Sequence, residues 1–136
     1  FEKGLDDICA NCRYDVKFNN KQNPNLPLFE EFKSYNSETW SKIANDKGFI
    51  KQFESYLQEV NKIEDLAYVI NSNKANINEV KQAFKELFKR NSDEILKFMN
   101  PKLKESLGII NPNDKVRLEK LINDTNSALY NFIKSQ

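Results

Sequence analysis

The apolar positions of this chain recur at steps of three and four, and that spacing predicts helices almost from end to end. Leu5, Ile8, Cys9, Cys12 and Val16 share one stripe over 5–17, as an amphipathic helix requires. The polar, proline-bearing stretch 19–27 reads as a loop. Leu28, Phe29 and Phe32 suggest a short helix, and Asn36 and Ser37 are both good N-caps for another that carries Trp40, Ile43 and Ala44.

Asp46 can cap the clearest helix, whose stripe is Phe49, Ile50, Phe53, Tyr56, Leu57, Val60, Ile63, Ala67 and Ile70. Asn76 with Glu79 resembles a capping box ahead of Ile77, Val80, Ala83, Phe84, Leu87 and Phe88. Ile95, Leu96, Phe98 and Met99 form a short helix. Asn100-Pro101 is an N-cap with proline at the first helical position, and Gly108 is a natural stop after Leu103 and Leu107. Asn111-Pro112 repeats the start signal for a last helix through Val116, Leu118, Leu121, Ile122, Leu129, Phe132 and Ile133. No long segment alternates with period two. The expectation is therefore an all-α fold: one compact bundle of about five main helices plus short connecting ones, spanning 1–136 as a single domain.

Composition supports that picture. Apolar residues are 39% and charged residues 30% of 136, which is globular rather than disordered. With Gly at 3 and Pro at 4, the chain is poor in the turn residues that all-β folds need. Net charge is +1, with acidic and basic residues interleaved, which disfavours nucleic-acid binding. No apolar run approaches the ~18–20 residues of a membrane span.

Candidate chemistry is sparse. Histidine is absent, which removes the commonest general base and transition-metal ligand. Cys9 and Cys12 lie one helical turn apart, close enough for a disulfide. Buried free thiols and a redox pair are the other readings. The redox motif would want a preceding strand that eight residues hardly provide, and zinc would want two more Cys or His ligands. The acidic pairs Glu30-Glu31, Glu64-Asp65 and Asp93-Glu94 diverge by about 100° on a helix and read as solvated faces. Lys81, Lys85, Lys89 and Arg90 are interleaved with acids, so ordinary i,i+4 pairing accounts for them. Asn123 opens the single Asn-x-Ser/Thr sequon, relevant to a secreted chain.

Aromatic residues dominate the stripes. They predict a filled core, or else an apolar cavity lined by Phe49, Phe53, Phe84, Phe88 and Phe98. Phe49, Ile63, Leu66, Ile70, Ile77, Val80, Leu87 and Phe88 loosely resemble the helix spacing of the insect repeats related to cockroach allergens. These are generic apolar positions, and the resemblance implies a lipid-enclosing helical fold.

The functional expectation is a non-enzymatic helical protein, secreted or exported, that acts through a macromolecular partner, a protein, with no cofactor and no metal. Export is argued from Phe1 standing in place of an initiator Met and from the close cysteine pair. A carrier of a small lipid-like ligand and a thiol-redox protein are the alternatives.

Overall fold

A computed structural model describes residues 16–18, 27–111 and 114–135. It overturns the all-α expectation, because a four-stranded sheet in the order β1-β2-β3-β4 runs through the fold. The strands are β1 (Val16–Phe18), β2 (Phe29–Lys33), β3 (Leu66–Ile70) and β4 (Ile133–Ser135). β1 pairs antiparallel with β2, while β2, β3 and β4 run parallel.

Parallel neighbours need long crossovers, and helices fill both of them. Between β2 and β3 lie α1 (Ser37–Trp40), a 3-10 turn at Ile43–Asn45, and α2 (Lys47–Glu59). A second 3-10 turn, Ile63–Asp65, leads into β3. Between β3 and β4 lie α3 (Ile77–Arg90), α4 (Ser92–Phe98), α5 (Pro101–Ser106), α6 (Lys115–Asn123) and a 3-10 turn at Ala128–Tyr130. The result is an α/β fold.

The expected helix over 49–70 is in fact a helix and a strand. α2 ends at Glu59, and Val60 already has extended dihedrals (φ −85°, ψ 144°). Leu-Ala-Tyr-Val-Ile then forms β3. A short continuous apolar run cannot be told from buried helix by periodicity, and β-branched and aromatic residues favour the pleated state. The same ambiguity hid β2, where Phe29 and Phe32 sit at helical spacing, and β4, read as the tail of the last helix. β3 also falls inside the allergen-like run, so the implied all-helical fold fails there.

The helix starts follow their side-chain caps. Asn36 Oδ1 accepts from Thr39 N at 2.9 Å, Asp46 Oδ1 from Phe49 N at 3.1 Å, and Asn76 Oδ1 from Asn78 N at 2.7 Å. Glu79 does not complete a capping box but accepts from Ser37 Oγ, tying α3 to α1. Asn100 caps α5 with Pro101 at its first position. Asp114, rather than Asn111, caps α6 through Arg117 N at 3.1 Å. Gly108 stops α5 at φ +81°, where a Cβ would also meet Arg117 Nη2 at 3.1 Å.

The core lies between the sheet and the helices. Tyr68 on β3 is its centre, with ring centroids of Phe49, Phe53, Phe84 and Phe132 at 5.6–5.8 Å and Tyr56 at 6.2 Å. Most of these contacts are edge-on, the arrangement that ring quadrupoles favour. Among the described residues no helix is long and apolar enough to cross a membrane.

Candidate functional site

The residues expected to line an apolar cavity are mostly packed against one another. Phe49, Phe53, Phe84 and Phe88 are buried. Phe53 lies 5.2 Å from Phe84 and 5.6 Å from Phe88, and Phe49 lies 5.7 Å from Phe84. These rings fill the space between α2, α3 and the sheet. Phe98 stands apart from them, half-buried at the end of α4. Asn123 is exposed as the last residue of α6. Cys9 and Cys12 lie outside the described residues. Among the described residues no disulfide is seen, so the expected bond is not carried forward, and the export argument loses the support it drew from that bond.

One residue in each of two acidic pairs departs from the expected solvated face, while Glu64 is exposed as expected. Glu31 and Asp65 are buried. Glu31 belongs to β2, where alternation places it on the core side with Phe29 and Lys33. Lys33 Nζ lies 2.7 Å from Glu31 Oε1, and Tyr56 Oη donates to Glu31 Oε2 at 2.7 Å. The same ammonium sits 5.3 Å from the centre of the Tyr35 ring. A buried carboxylate is tolerable when it is paired and hydrogen-bonded in this way.

A third buried carboxylate, Glu54, is differently placed. α2 and α4 pack side by side, and Asn100 N, just past α4, donates to Leu57 O at 2.9 Å. Asn100 Nδ2 also donates to Asn61 Oδ1 at 3.1 Å. On α2, Lys51, Glu54, Ser55 and Gln58 follow i, i+3, i+4, i+7 spacing and so share one flank. Glu94 and Phe98 on α4 face them, enclosing a cleft of about 190 Å³.

Within that cleft Glu54 is only 6% exposed. Its Oε2 is buried and has no hydrogen-bond partner among the described residues. Burial pushes its carboxyl up to about 7 from an ordinary 4.5, the nearby Glu94 carboxylate adds to the rise, and Lys51 partly opposes it. Lys115 pairs with Asp93, the residue before Glu94, at 2.8 Å. Hydrogen bonding to Asp93 raises the Lys115 ammonium above its usual range.

Glu54 was not singled out from the sequence, although a signal exists. It follows Ile50 by four residues and precedes Leu57 by three, so it interrupts the apolar stripe. Glu94 was visible only as half of an acidic pair. The expected absence of metal chemistry has no direct bearing on this cleft, but among the described residues no three acidic, Cys or His side chains converge. No family model, no curated protein and no solved structure matches this chain.

Proposed function

We propose that this chain is a non-enzymatic binding protein that acts by contacting a macromolecular partner, with the α2/α4 cleft in the contact face. The observation that carries this reading is Glu54, a buried carboxylate that lines a surface cleft and has one oxygen, Oε2, buried without a hydrogen-bond partner among the described residues. A buried acceptor without a donor costs the folded chain about 1–3 kcal/mol, more when charged. A partner that supplies the donor removes that cost on binding. The packing of Phe49, Phe53, Phe84 and Phe88 on one another favours this surface reading over an internal carrier site.

The test is crosslinking with mass spectrometry on the full chain in an extract of its source, followed by titration of the recovered protein against the purified chain. Saturable binding with crosslinks from Lys51 and Lys97 supports the reading. Absence of any saturable partner overturns it.

A further inference from the structure

We propose that the α2/α4 cleft is a receptor for one cationic side chain, a lysine ammonium or an arginine guanidinium presented by a polypeptide partner. Glu54 and Glu94 take its charge, and the Phe98 ring takes its alkyl stem. This rests on the reading of the cleft as the contact face.

Four observations carry it. The cleft holds two carboxylates from different helices, and Glu54 is more than nine-tenths buried with Oε2 unpartnered. Among the described residues neither Glu54 nor Glu94 is in ion-pair contact with a cation; the pairs formed include Lys33–Glu31, Lys42–Glu38, Arg90–Glu86 and Lys115–Asp93. Lys51 is exposed at the rim, so the charge balance of the cleft with both acids ionised is negative. Its volume of about 190 Å³ falls below the ~300–1,000 Å³ of small-molecule sites and suits a single long side chain.

The ligand chemistry follows from the donor set. Calcium takes six to eight oxygen ligands and magnesium demands a near-ideal octahedron, and among the described residues no third acidic, Cys or His side chain joins these two carboxylates. An ammonium or guanidinium needs fewer partners and brings its own apolar stem. Lys97 Nζ of the chain itself stands 5.8 Å from the centre of the Phe98 ring, so an incoming stem shares this ring with an exposed lysine.

Occupancy should follow the ionisation of Glu54. Glu94 on α4 and Lys51 on α2 are the charged groups that set it from the two helices. With a carboxyl at about 7, most of it is protonated at pH 6 and little at pH 8, so affinity at pH 6 is about tenfold weaker.

The experiment is an amide NMR titration of the full chain with acetyl-Gly-Lys-Gly-amide and acetyl-Gly-Arg-Gly-amide. Acetyl-Gly-norleucine-Gly-amide serves as the uncharged control. The expected result is saturable shifts confined to 51–58 and 94–98 at pH 8, about tenfold weaker binding at pH 6, and none with the control. Glu54→Gln should lose the pH 8 response while remaining folded, and Phe98→Ala should weaken it several-fold. No shifts at pH 8 with either cation, or binding undiminished by Glu54→Gln, overturns the receptor. Either outcome leaves the broader binding reading to the crosslinking experiment, which can succeed with contacts elsewhere.

Discussion

Glu31 and Glu54 are both glutamates withdrawn from water, yet the fold treats them in opposite ways. Glu31 sits on a strand beneath α2, with an ammonium at 2.7 Å and a tyrosine hydroxyl at 2.7 Å. Glu54 sits on the flank of α2, with an unpartnered oxygen and a second carboxylate across the cleft. The first arrangement completes itself within the chain. The second is completed only by a proton or by a cation from outside. Burial alone therefore does not distinguish a structural acid from a binding one; the supply of donors does.

Removing the satisfied carboxylate should have the largest effect. Glu31→Gln removes the carboxylate 2.7 Å from the buried Lys33 ammonium, and breaking a buried pair costs about 3–5 kcal/mol. Urea denaturation at pH 7 measures it, and a loss below 1 kcal/mol would mean that the pair contributes little. Tyr56→Phe keeps the ring in the core and deletes the 2.7 Å bond to Glu31. Its expected cost is about 1.5–3 kcal/mol, the range for hydrogen bonds to charged groups.

Removing the unsatisfied carboxylate should have the opposite sign. The folded chain holds the Glu54 proton up to about 7, whereas an ordinary glutamate releases it near 4.5. Between those values the folded state binds more protons than the unfolded one, so stability falls as pH rises and levels off above about 7. Glu54→Gln abolishes this dependence. Thermal melts should show the variant a few degrees more stable than the native chain at pH 8, with the gap closing towards pH 4.5. A destabilised variant at pH 8 would place Glu54 in the same class as Glu31.

The smallest effect is expected where neither burial nor donor supply is at stake. Lys42 and Glu38 pair at 3.2 Å on the exposed side of α1. Lys42→Ala should change stability by less than about 0.5 kcal/mol, as is usual for exposed i,i+4 pairs. A larger loss in a urea melt would show that surface charge outweighs burial in this chain.

How much of this was legible depended on whether the signal was local. The Asn36, Asp46, Asn76 and Asn100 caps bond a backbone amide two or three residues on, so sequence reading found them. The apolar face of α3 was found for the same reason: Val80, Ala83, Phe84, Leu87 and Phe88 are the residues its helix buries. β3 was missed because a five-residue apolar run carries no period of its own, and its state is decided by the strands beside it. Glu31 was misread for a related reason. Its alternation with Phe29 and Lys33 becomes visible only once residues 29–33 are known to be a strand.

By itself the sequence determined where helices begin, which stripes turn inward, and the absence of histidine chemistry. These follow from side-chain type and from contacts within a turn or two. Only the tertiary structure decided that Leu66–Ile70 joins a parallel sheet with Phe29–Lys33 and Ile133–Ser135. It alone brought Glu94 across from Glu54, 40 residues earlier in the chain. Parallel pairing and interhelical clefts join residues that no local propensity links. Whether a given glutamate ends up answered or unanswered is set by those distant neighbours.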